Sequence, residues 1–160
     1  MQKLLQALYL GAAFALVTGP AISGGKHAGG HHDDWAKVGR PGDPKKATRT
    51  VEIHAYDTMR FNHEHFTVKR GETVRIVLHN AGKLPHEIVL GDEKALREHA
   101  ELMRKFPDME HADPNQASAA PGKKSELVWQ FTKPGTVHFA CLHPGHYEAG
   151  MKGKITVTSK

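Results

Sequence analysis

From Thr50 onward, apolar and polar residues alternate with a period of two, the signature of strands whose side chains point to opposite faces in turn. TVEIHAYD (50–57) reads as one strand. FTVKRGETVRIVLHN (66–80) reads as strand, turn at Gly71, strand, with Val74, Ile76 and Leu78 sharing a face. HEIVL (86–90), SELVWQF (125–131), TVHFAC (136–141) and GKITVTS (153–159) continue the pattern, and Lys133, Pro134 and Gly135 join the middle two. Several short strands with frequent turns predict an all-β fold, an antiparallel β-sandwich. One stretch breaks the period. In DEKALREHAELMRKF (92–106), Ala95, Leu96, His99, Leu102, Met103 and Phe106 recur at helical spacing. Asp92 can cap this helix, Glu93 suits its first turn and Lys105 its last. Residues 107–124 read as loop, and no segment repeats.

The first 23 residues follow another pattern. Lys3 precedes an apolar run from Leu4 to Val17, interrupted by Gln6, and small residues with Gly19 and Pro20 follow. This is the layout of a secretory signal peptide, with cleavage expected near Ala21 to Gly24. The run falls short of the roughly 20 residues a transmembrane helix needs. No cysteine stands there to carry a lipid, and no later stretch predicts a membrane span once the signal is removed. Residues 24–49, rich in Gly, Pro, Lys and His, are expected to be a flexible N-terminal segment, and 50–160 to be one folded domain. The expected location is the periplasm.

Composition changes the picture in two ways. Lys and Arg (22) exceed Asp and Glu (17), for a net charge of +5. The basic residues are scattered, with no run of five, so no nucleic acid is expected, whereas an acidic redox partner protein would be drawn to such a surface. Secondly, there are 13 histidines and a single cysteine. One cysteine forms no internal disulfide, and a free thiol is a liability in an oxidising compartment unless burial or a metal holds it.

Cys141 lies in CLHPGHYEAGM, where Cys141, His146 and Met151 follow the spacing C-x4-H-x4-M between the last two predicted strands. The best further donor is His86, at the start of HEIVL. Two imidazoles and a thiolate in a plane, with a weak axial thioether, describe a type 1 copper site. Thiolate bonds copper strongly, imidazole suits both oxidation states, and a soft methionine tunes the potential through a long bond.

NAGKLPHEIV (80–89) together with TVHFACLHPGHYEAGMKGKITV (136–157) resembles the cupredoxins, the family of azurin, plastocyanin and auracyanin. The resemblance spans about residues 50 to 158, and the ligand spacing is like that of auracyanin. It implies a Greek-key β-sandwich holding copper through His86, Cys141, His146 and Met151. The signal-like start, the surplus His and Met and the helical insertion are most similar to periplasmic copper-tolerance cupredoxins. Where azurin and auracyanin carry Asn after the first ligand, this chain has Glu87, whose side chain is expected to point away from the thiolate. A dinuclear copper centre is excluded because it needs two cysteines. A multicopper oxidase would place His on both sides of the cysteine, and here Ala140 and Leu142 stand there.

Other donors are weaker. Met59, His63, His65, Met103, Met109 and His111 form a candidate second copper site, although Met103 also fits the helix stripe as a core residue. His54, His79, His99, His138 and His143 read as structural or surface residues. His27, His31, His32, Asp33 and Asp34 suit loose Cu(II) binding, and cleavage after Gly24 would leave Gly25-Lys26-His27 as a square-planar chelator. The expectation is a non-enzymatic periplasmic copper-binding protein acting in copper tolerance. The alternative is a soluble electron carrier for a respiratory or photosynthetic partner.

Overall fold

The computed structural model describes residues 34–107 and 113–160. Its two sheets have five strands each. The first has the order β1 (Arg40–Pro41), β8 (Lys124–Gln130), β5 (Thr73–Asn80), β2 (Arg49–Tyr56), β3 (Arg60–Phe61). The second has the order β4 (His65–Lys69), β10 (Lys152–Thr158), β9 (Gly135–Ala140), β6 (His86–Gly91), β7 (Gln116–Ala119). Every segment with a two-residue period is a strand here. The sandwich is mixed rather than wholly antiparallel, because β2 pairs with β5 and β10 with β4 in parallel. The turn at Gly71 is therefore no hairpin: β4 and β5 lie in different sheets, and the chain crosses between them. Gly71 takes φ +86°, a left-handed backbone that favours glycine, and its N–H donates to Phe131 O.

Alternation decides what the sheets enclose. Ile53, Ala55, Val74, Ile76, Leu78, Leu127 and Trp129 from the first sheet face Val68, Ile88, Leu90, Val137, Phe139 and Ile155 from the second. A second apolar layer lies outside. The helix α1 (Glu93–Lys105) is capped by Asp92, whose carboxylate accepts from Ala95 N at 2.8 Å. It buries Leu96, Ala100 and Met103 with Val89, Ala140 and Leu142 of the second sheet and its following loop. This explains why β6 is buried along its whole length, with apolar neighbours on both sides. The expected stripe is corrected at one end: Phe106 closes the helix and is 58% exposed, while Ala100 takes the inward position.

Two further expectations are corrected. Residues 34–48, grouped by composition with a flexible segment, carry two 3-10 turns and β1. Trp35 packs edge-on against Trp129, ring centroids 5.9 Å apart, and Trp129 Nε1 donates to Val38 O at 3.2 Å. The stretch expected to be loop contains β7, which extends the second sheet beside β6. The predicted signal peptide, the tail donors His27, His31, His32 and Asp33, and Met109 and His111 lie outside the described residues.

Candidate metal centre

The structure brings His86, Cys141 and His146 together. One imidazole nitrogen from each histidine and the cysteine sulfur all lie within 4.8 Å of one another. Each arrives by a different local device.

His86 opens β6 and is fully buried. The loop before it is fixed by Asn80, whose side chain donates to Leu84 O at 2.7 Å and Ala119 O at 2.9 Å and accepts from Gly82 N. Asp57, just past β2, accepts from Lys83 N at 2.8 Å and Leu84 N at 3.2 Å, and its Oδ1 lies 3.1 Å from His86 Nε2. The Lys83 N–H is the largest of the effects holding the Asp57 carboxyl below its ordinary value, and the carboxylate is ionised. An ionised Oδ1 can only accept, so His86 donates from Nε2 and keeps the lone pair on Nδ1. That Nδ1 is buried and has no hydrogen-bond partner.

Cys141 follows β9, and its N–H donates to Met151 O at 3.0 Å. Its sulfur receives the backbone N–H groups of Glu87 and His143 and lies 3.2 Å from His146 Nδ1. Burial pushes the thiol up to about 12, and the nearby Glu87 charge adds to the rise against those two N–H groups. His146 is pushed down, by burial first and then by His86 and His143. With the thiol protonated and the imidazole neutral, sulfur and Nδ1 share one proton across this contact, donated from either side according to the ring's tautomer. A metal entering here replaces that proton.

The loop closes on itself. His146 N donates to His143 O, and Met151 N to His146 O. Gly145 permits the turn before His146 with φ +86°. Met151 is fully buried at the start of β10, inside the main core. His143, expected on the loop surface, is half-buried and sits edge-on to His146 with ring centroids 5.6 Å apart.

Glu87 points away from His86 and Cys141, on the face of β6 that it shares with Val89, but it is buried there rather than exposed. Its side chain stays inside, 2% exposed, with Oε1 accepting from Leu142 N at 3.1 Å and Oε2 from Gln116 Nε2 at 2.7 Å and Ser118 Oγ at 3.2 Å. These donors hold a buried charge whose field still reaches the thiol. Asp57 went unseen because only the fold brings it to His86, 29 residues away. The candidate second-site residues that are described lie in different surroundings. Met103 packs under α1 on the outer layer, Met59 packs against the main core, His63 is exposed, and His65 reaches Thr156 Oγ1 at 3.0 Å.

Two borderline nitrogens and one soft sulfur, with a buried orphan lone pair, fit copper. Comparison with known proteins agrees. Residues 47–158 match the family of copper binding proteins of the plastocyanin/azurin type, and the chain belongs to that family. Copper is its metal. The chain is 55% identical over 135 residues to the copper-resistant cuproprotein CopI of Rubrivivax gelatinosus, covering 84% of this chain and 82% of that protein. It is 38% identical over 148 residues to CopI of Pseudomonas aeruginosa, covering 74% and 81%. Among solved structures, auracyanin B superposes with a TM-score of 0.63 at 25% identity, over 76% of this chain and 96% of the other. Among the described residues, no helix is long and apolar enough to cross a membrane.

Proposed function

We propose that this protein serves copper tolerance outside the cytoplasm, where His86, Cys141, His146 and Met151 would hold the copper. The observation that carries the tolerance role is the 55% identity to a protein named as a copper-resistant cuproprotein. Residues 1–23 act as its export signal, and the family domain follows the His-rich segment.

Bound copper supplies a one-electron couple. The chain supplies a site prepared for it. Asp57 fixes the tautomer of His86 and so the direction of its lone pair. Burial of Cys141 and Met151 keeps water from the sulfur donors. The N–H groups of Glu87 and His143 stabilise the thiolate once its proton has left. The role is binding and redox handling, not catalysis: Ala140 and Leu142 flank Cys141, which gives no histidine route to a copper cluster.

A second reading, a diffusing electron carrier, is favoured by the likeness to auracyanin B and by the net charge of +5, which suits an acidic partner protein. Deletion of the gene separates the two. Copper sensitivity in the deleted strain, reversed by the wild-type chain but not by Cys141→Ser, supports tolerance. Unchanged copper sensitivity with impaired respiration or photosynthesis would replace it with the carrier reading.

A further inference from the structure

A different cluster lies on the outer face of the first sheet, turned away from the core that encloses Cys141. In β2, Ile53 and Ala55 point inward, so Glu52 and His54 share the outer face. In β5, Leu78 points inward and His79 outward. The parallel register sets His54 directly opposite His79. Their rings stack with centroids 4.5 Å apart, and Glu52 Oε2 lies 3.9 Å from His79 Nε2. A ligand atom from each of the three lies within 4.8 Å of the others.

The second observation is an orphan atom. His79 Nε2 is buried and has no hydrogen-bond partner, and 3.9 Å is too long for one to Glu52. A buried polar atom left unpaired costs stability unless something fills the place. Water and a proton are the alternatives to a metal. Burial first, then Lys124 and His54, hold the His79 ring below its ordinary value, which favours the neutral, lone-pair form. Lys124 stands opposite His79 in β8 and Glu126 opposite Val77, so the surrounding charge is mixed rather than repulsive to cations.

The geometry points to a second metal site at Glu52, His54 and His79, open to solvent and selective for a divalent transition metal, with Cu(II) bound most tightly. Two imidazoles and one carboxylate with free positions for water suit a tetragonal ion, and Cu(II) leads the affinity order for such nitrogen and oxygen donors. Two nitrogens on one ion at about 2.0 Å each lie roughly 3–4 Å apart, within the 4.8 Å that spans the three ligand atoms, and rotating the two rings out of their stack turns both lone pairs to one point. The site holds no thiolate, so its copper is pale and distinct from any at Cys141. It stands whether or not the type 1 assignment holds, because it shares no residue with it.

The test is Cu(II) titration of the full chain, with bound equivalents counted and paramagnetic resonance recorded alongside the visible band. The His54→Ala/His79→Ala variant is expected to bind one equivalent fewer and to lose one two-nitrogen resonance signal, with the Cys141 band unchanged. The same number of equivalents in that variant would overturn the site and assign all colourless copper to other donors. Should the double variant lose the Cys141 band through misfolding, the exposed Glu52→Gln decides. A loss of affinity of about tenfold or more at one colourless equivalent supports the site, and unchanged affinity at every equivalent refutes it. Failure of the type 1 reading shows separately, as no thiolate band in the wild type.

Discussion

Two groups of histidines lie inside and outside the same sandwich, and they are built differently. His86 and His146 meet Cys141 in the interior, and the loops before and between them are fastened by backbone hydrogen bonds and by Asp57, Asn80 and Glu87. His54 and His79 meet Glu52 on the outer face, held by strand register and by the stacking of their rings. The buried group is preorganised: the loops that carry it are tied by those hydrogen bonds, and His86 Nδ1 is left without a partner. The outer group has geometry without enclosure. A metal inside would sit among buried donors that move little, which suits electron exchange. A metal outside would stay open to water and exchange freely.

The largest way to break this contrast is Cys141→Ser. It removes the only thiolate and is expected to abolish the intense visible band outright, while colourless Cu(II) binding on the outer face persists. Absorption spectra across a copper titration check it, and a surviving band would end the type 1 assignment. Next comes Asp57→Ala, which leaves His86 Nε2 without its acceptor and frees Lys83 N and Leu84 N. Copper affinity of the buried group should fall about 10- to 100-fold with the band still visible at saturation. Competition against a chelator of known affinity measures this, and the outer group should not respond.

A smaller effect tests which methionines serve metal. Met103 packs among Leu96, Ala100 and Leu142. Met103→Leu should cost under about 1.5 kcal/mol of stability and leave the number of bound coppers unchanged. Denaturant midpoints and copper counts together check it. Met151→Leu should instead alter the visible spectrum.

The strands, the helix and the meeting of Cys141 with His146 were legible because each rests on a local rule: alternation, helical spacing with a cap, and a short loop between neighbouring strands. What was hidden depends on register. β1 and β3 are two residues long, too short to show a period, and β7 is the polar run QASA. Nothing in FTVKRGETVRIVLHN says that its halves enter different sheets. That Glu87 turns from the thiolate was legible, but not that donors from β7 and Leu142 let its carboxylate stay buried there. His54 and His79 each look like ordinary strand residues until the parallel pairing of β2 with β5 sets one against the other.

The smallest expected effect applies to both groups at once, in the protein freed of copper. His146 and His79 are each held below the ordinary 6.5, chiefly by burial, so the folded chain resists protonating them. The unfolded chain takes those protons up as pH drops through that value. Stability from keeping them neutral is therefore complete above 6.5 and is lost as pH falls towards and through the folded values. Asp57 shifts in the same direction, but only its range below 3.8 is affected, so a comparison of pH 7 with pH 5 reads the histidines. The denaturant midpoint should be lower at pH 5, and either His79→Ala or His146→Ala should flatten the slope. Copper should steepen the dependence at both groups, since a proton on either ring, or on Cys141, competes with the metal. A midpoint that holds or rises at pH 5 would mean that solvent reaches these rings and that neither group is kept neutral by the fold.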